Sequence, residues 1–161
     1  MFRPNFLFVE QHSVRVEGFS RRFGQPSTRN WGRPEHPAPT CSLIPGGAVD
    51  GVVFGVSDHH KEAVLRELRR REAQDPIELH VSIDGDEVTA LTWTMNNPWA
   101  ERSIEALVSA AVANVSHGGG PFGNAWDYVD GVKCALEQRG LYDPFVHEYH
   151  TALFEALEGK G

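Results

Sequence analysis

The chain has 161 residues, a net charge of −7 and 40% hydrophobic residues, which fits a single globular domain spanning residues 1–161. No apolar run reaches the roughly 18 residues of a membrane span, and the first residues do not resemble a signal peptide. The acidic balance, without a basic stripe, argues against nucleic-acid binding. Cys41 and Cys134 form no CxxC pair, so we expect a reduced, cytoplasmic protein.

The first half of the chain is predicted to be mainly β-structure. SVRVEGF (13–19) alternates, with Val14 and Val16 on one side. TCSLI (40–44) and GVVFGV (51–56) are short apolar runs, and the PGG between them predicts a turn or flexible loop. IELHVSI and EVTALTW flank Asp84-Gly85, a pair that is typical of tight hairpins.

A long loop is predicted between Phe23 and Thr40, because this segment has four prolines and no apolar period. It carries Arg29, Trp31 and Arg33, which could line a pocket.

Four helices are predicted, mostly in the second half of the chain. They are DHHKEAVLRELRRRE with Asp58 as N-cap, ERSIEALVSAAVANV, a segment from about Ala125 to Gln138, and a last helix with Phe145, Val146, Tyr149, Leu153 and Leu157 on one face. Strands that come first, joined by hairpins and followed by helices, favour an α+β fold over a doubly wound sheet.

Glu72, at the end of the first helix, is the leading candidate for chemistry. A charged residue at a helix end is more often a solvated surface group. However, its negative charge is mildly unfavourable at the negative end of the helix dipole. It also lies four residues after Leu68, on the apolar face of the helix, so its side chain is expected to point inward. A carboxylate shielded in this way suits a group that takes up and returns a proton near neutral pH.

Three other patterns are weaker. GGGPFGN (118–124) could offer amides to an anion, but it lacks the lysine of a phosphate loop and is more often a loop with tight turns. His147 and His150 are too few for a zinc site, so no metal is expected. Cys41 lies in an apolar β run and is predicted to be a core residue rather than a nucleophile.

Five segments follow one another along the chain: VEGFSRRFGQPSTRNWGRPEHP, GAVDGVVFGV, LRRREAQ, TMNNP and GGGPFGNAWDYV. In this order they resemble the motifs of the ChaC-like γ-glutamylcyclotransferases, the glutathione-specific branch, over nearly the entire chain. The resemblance implies a small mixed or antiparallel β-barrel flanked by helices.

The resemblance also implies an enzyme that acts on glutathione or another γ-glutamyl compound. The α-amine of the γ-glutamyl group attacks its own γ-carbonyl, which gives 5-oxoproline and releases the attached amine (Cys-Gly from glutathione). Glu72 matches the catalytic glutamate, acting as general acid and base. Tyr128 matches a tyrosine of the family pattern and is assigned to substrate binding, because it could donate a hydrogen bond in the pocket. Arg29 and Arg33 are assigned by charge to the glycine carboxylate. No cofactor is implied, the partner is a small molecule, and the oligomeric state is left open.

The sequence departs from the family pattern at two places. Members begin with a strand that ends in a tyrosine-glycine-serine-leucine loop, and no such strand precedes MFRPNF. We expect that the sequence starts after this loop, because a barrel without a central strand would expose an edge and apolar surface. Activity of these residues alone is therefore left open, and the alternative is an inactive relative that binds a γ-glutamyl ligand or a protein. In addition, Asp75-Pro76 stands where relatives carry glycine-tyrosine.

Overall fold

The computed structural model describes residues 5–72, 75–93 and 98–159. Its elements in chain order are β1 (Glu10–Ser27), β2 (Ala38–Gly55), α1 (Asp58–Glu72), β3 (Ile77–Ile83), β4 (Asp86–Thr92), α2 (Ile104–Ser116), α3 (Ala125–Glu137) and α4 (Pro144–Glu158). The predicted α+β class is confirmed. In the described part of the chain, the strands form two two-stranded sheets, β1–β2 and β3–β4.

The chain divides into two compact units. Of the described residues, 21–44 and 98–159 form one unit, here called the helical unit. Residues 5–20, 45–72 and 75–93 form the other, here called the hairpin unit. Strands β1 and β2 contribute residues to both units. The assignment of residues 1–161 to a single domain stays a prediction.

The core of the helical unit is built around Phe23 of β1, which is fully buried. Its ring centroid lies 4.5 Å from that of Tyr149 in α4 and 6.2 Å from that of Tyr128 in α3. Apolar residues recur along α2 with a helical period, and Leu107 and Ala111 are buried in the same cluster. Burial of these apolar and aromatic side chains is the main source of stability in this unit.

Two expectations for the strands were wrong. The PGG segment does not separate two strands, because β2 continues through it from Ala38 to Gly55. Gly46 and Gly47 have φ of +99° and +78°, which bends the backbone locally without ending the strand. The Ser20 hydroxyl of β1 donates to the Gly46 carbonyl at 2.5 Å. The long loop is also shorter than predicted, because β1 runs to Ser27 and only residues 28–37 lie outside the two strands.

The predicted hairpin is confirmed. Strands β3 and β4 pair antiparallel, with Ile83 opposite Asp86. The two residues between them, Asp84 and Gly85, have φ of 53° and 95°. Positive φ at both central positions is the type I′ turn, whose twist matches that of the flanking strands. Val81 of β3 is buried on one face of this hairpin.

Replacement of Gly85 tests the turn. An added Cβ meets no atom within 4 Å, but φ is +95°, so Gly85→Ala should lower the free energy of unfolding by about 1 kcal/mol through backbone strain alone. Gly51→Ala is the matched control, because it also has open space and lacks a positive φ. Urea unfolding of both variants measures the difference, and equal midpoints would contradict this assignment of the turn.

Candidate active site

Glu72 is the last residue of α1 in the hairpin unit, and its side chain is 22% exposed. Arg71 Nε donates to Glu72 Oε1 at 2.7 Å, and Arg71 Nη2 donates to the same oxygen. The remaining Arg71 nitrogen, Nη1, donates to Asn5 Oδ1 at 3.0 Å. Within the described residues, no hydrogen bond reaches Glu72 Oε2. The carboxylate is therefore partly shielded from water and oriented by one arginine through one of its two oxygens.

The three arginines that precede Glu72 have different carboxylate partners. Arg69 contacts Asp75 at 3.3 Å, and Arg70 contacts Glu67 at 2.8 Å. These two pairs are largely exposed and contribute little to stability. Only Arg71 contacts Glu72 among the three, so the surroundings of Glu72 differ from those of the exposed acids on the same helix.

Tyr128 lies in α3 of the helical unit and is buried. Its hydroxyl accepts a hydrogen bond from the backbone N–H of Cys41 in β2 at 3.1 Å, and its ring centroid lies 5.1 Å from that of Trp31. Burial raises the pKa of Tyr128 well above its usual value, so the hydroxyl is neutral. Burial also raises the pKa of the Cys41 thiol, which favours the prediction of a core cysteine over that of a nucleophile.

Arg29 and Arg33 lie on the segment of residues 28–37 that links β1 to β2, here called the connecting loop. Both side chains are exposed, and neither has an ion-pair partner in the part of the chain that the structure describes. Arg33 and His36 close a small turn, because the N–H of each donates to the carbonyl of the other at 3.2 and 3.1 Å. The structure thus places Arg29, Arg33 and Tyr128 in the helical unit and Glu72 in the hairpin unit.

Asn114 of α2 is a residue that the sequence interpretation missed. Its side chain is fully buried. Nδ2 donates to the carbonyls of Trp31 and His36 at 3.1 and 2.8 Å, and Oδ1 accepts from the N–H of Ala125 at 2.8 Å. A sequence signal did exist: Asn114 lies three residues after Ala111 and seven after Leu107, so it is a polar residue on the apolar face of α2.

The glycine-rich segment 118–124 packs against the connecting loop, and its N–H groups are used within the protein instead of being presented to an anion. Its backbone N–H groups donate to protein acceptors: Gly118 to Val115, Gly119 to Asn114, Gly120 to Gly123, Phe122 to Asn30, Gly123 to Gly120, and Asn124 to the Asp127 side chain. A Cβ on Gly120 would lie 2.5 Å from the Asn30 carbonyl, so glycine is required where the two loops touch. The Asn124 side chain then caps α3 in a capping box with Asp127.

Three further observations do not concern the predicted site residues. His147 and His150 of α4 contact the carboxylates of Glu137 and Asp130 at 3.5 and 3.2 Å. The described residues contain no cluster of three or more side chains suited to hold a metal ion. Among the helices that the structure describes, none is long and apolar enough to span a bilayer.

Comparison with known proteins identifies one matching family and two solved structures with a similar fold. The profile of the ChaC-like protein family matches residues 1–157. A selenomethionine-labelled structure of a γ-glutamyl cyclotransferase specific to glutathione, from yeast, superposes with a TM-score of 0.75 at 17% identity, covering 92% of this chain and 89% of that chain. A second structure of the yeast enzyme gives 0.73 at 17% identity, covering 95% and 92%.

No curated protein sequence matches significantly. At 17% identity the structural likeness to the yeast enzyme shows the fold, whereas the profile match covers nearly the whole chain. The chain therefore belongs to the ChaC-like protein family.

Proposed function

We propose that this protein is a γ-glutamylcyclotransferase that converts glutathione, or a related γ-glutamyl compound, to 5-oxoproline and the released amine. The observation that carries the proposal is the family match over residues 1–157. Glu72, which the motif resemblance matches to the family's catalytic glutamate, is partly buried and held by Arg71, and this supports the proposal. The yeast neighbours are described as specific to glutathione, which makes glutathione the first substrate to test.

The reaction needs one proton-transfer group and no external nucleophile. A bond forms between the α-amino nitrogen and the γ-carbonyl carbon of the glutamyl group, and the bond from that carbonyl carbon to the cysteine nitrogen breaks. We propose that Glu72 takes a proton from the attacking nitrogen and returns one to the leaving nitrogen. Because nucleophile and carbonyl belong to the same molecule, holding the substrate in a folded conformation supplies much of the rate enhancement.

We propose that Tyr128, Arg29 and Arg33 bind the substrate. The two arginines carry exposed guanidinium groups, which pair with carboxylates through two parallel hydrogen bonds. The Tyr128 hydroxyl is kept neutral by burial and is fixed in direction by the Cys41 amide. We further propose a cytoplasmic location, because both cysteines are free thiols, as expected in a reducing compartment.

Replacement of Glu72 tests the proposed chemistry. Glu72→Gln keeps an oxygen for Arg71 but cannot take up a proton, so 5-oxoproline release from glutathione should fall by about 10²–10⁴-fold. Glu67→Gln is the control, because Glu67 also pairs with an arginine on α1, and its turnover should stay within about twofold of the parent. Release is measured by chromatography of the products.

Two results would overturn the proposal. Turnover of Glu72→Gln comparable to that of Glu67→Gln would remove Glu72 from the chemistry. Absence of 5-oxoproline from the unsubstituted protein with every γ-glutamyl compound tested would favour a relative that binds such compounds without converting them.

Replacement of Tyr128 tests its proposed contact with substrate. Tyr128→Phe removes the acceptor of the Cys41 amide, so the free energy of unfolding should fall by about 1 kcal/mol. The KM for glutathione should also rise, by about 3- to 10-fold for one lost hydrogen bond. The control is Tyr142→Phe, since Tyr142 is 64% exposed. A stability loss with an unchanged KM would leave Tyr128 with a structural role only.

A further inference from the structure

We infer that Asn114 is a positioning residue for substrate recognition: it holds residues 31–36 so that Arg33 presents its guanidinium to the glycine carboxylate of glutathione. This inference rests on the proposed function. Asn114 lies in α2, and its side chain is fully buried, so it is not placed to contact substrate itself. Any effect on binding must therefore pass through the backbone that it holds, in the connecting loop or at the start of α3.

The hydrogen bonds of Asn114 bracket Arg33. Its amide nitrogen donates to Trp31 on one side of Arg33 and to His36 on the other. Between these anchors, Arg33 and His36 exchange two backbone hydrogen bonds. The Trp31 ring packs beside those of Tyr128 and Phe122, at centroid distances of 5.1 and 6.3 Å. The backbone that carries Arg33 is thus held by contacts within the protein itself.

A fixed backbone matters because Arg33 is exposed and faces water. An arginine on an unanchored loop loses backbone and side-chain freedom when it binds a carboxylate, which weakens binding. Anchoring the loop before binding removes the backbone part of that loss, and it fixes the direction from which a planar guanidinium meets a carboxylate. Asn114 provides this anchoring through two donors on one side chain.

Arg29 provides an internal comparison. It precedes the segment that Asn114 brackets, and its neighbour Asn30 is held from another loop, by the N–H of Phe122 on the Asn30 carbonyl at 2.9 Å. Loss of the Asn114 donors should therefore affect Arg33 and leave the position of Arg29 largely unchanged. The two arginines share a loop and a charge but differ in their anchors.

Asn114→Asp separates the two functions of the side chain. A carboxylate oxygen still accepts from Ala125, so the start of α3 keeps its bond, whereas the two donors to Trp31 and His36 are replaced by an oxygen that faces their carbonyls. The readout uses two substrates, glutathione and glutathione with its glycine carboxylate converted to an amide. Only the first carries the charge that Arg33 is proposed to bind.

We expect the parent protein to prefer glutathione over the amide by about tenfold in kcat/KM, as one charge-assisted contact predicts. Arg33→Gln and Asn114→Asp should each reduce this preference through a higher KM for glutathione, with a much smaller change in the KM for the amide. The double variant should lose no more than either single variant, whereas Asn114→Asp and Arg29→Gln should have additive effects.

The inference is overturned if folded Asn114→Asp keeps the preference, or if its effect simply adds to that of Arg33→Gln. Asn114→Ser carries no buried charge and gives the same readout if the aspartate variant does not fold. Failure of the proposed function itself looks different, because neither glutathione nor its amide would then release 5-oxoproline in any variant.

Discussion

One buried carboxamide joins three backbone segments of the helical unit. Asn114 connects α2 to the connecting loop through two donors and to the first residue of α3 through one acceptor. Each of these partners is a backbone group, buried at Ala125 and part-buried at Trp31 and His36, and a buried group left without its bond costs about 1–3 kcal/mol. An apolar residue of similar size would satisfy none of the three, so the polar residue on an apolar face is required by the backbone around it.

The regular elements follow from local signals, which is why they could be predicted. The period of α2 and the Asp84-Gly85 turn act within a few residues of sequence. The prediction of a turn or loop at Gly46 and Gly47 was wrong for a non-local reason. Two glycines end a strand or only bend it according to whether the partner strand continues beside them. Here β1 does continue, with Ser20 bonded to Gly46, and no pattern within β2 alone indicates that partner.

In the candidate site, too, local sequence predicts some features, whereas contacts between distant or adjacent residues required the structure. Glu72 could be proposed because a helical phase and a family motif coincide on it. Its contact with Arg71 could not be foreseen, because adjacent helical residues point in different directions and only a long side chain can bridge them. The glycine-rich segment was identified as a loop, but its docking against Asn30 and Gly32 required the three-dimensional structure. Asn114 could have been noticed as a polar residue among the apolar residues of α2, but the two carbonyls to which it donates lie 83 and 78 positions earlier in the chain.

The anchoring of these residues has a consequence for specificity. Glu72 is oriented by its own neighbour Arg71, whereas the exposed arginines sit on a loop whose backbone is held from α2 and from the glycine-rich segment. Substitution of an exposed arginine changes no buried contact, so the proposed recognition of a carboxylate by Arg29 and Arg33 can be altered without cost to the core. Substitution of Asn114 or Gly120 disturbs buried backbone groups instead. Changes of substrate preference within this fold should therefore arise first at exposed positions of the connecting loop, with its anchors kept.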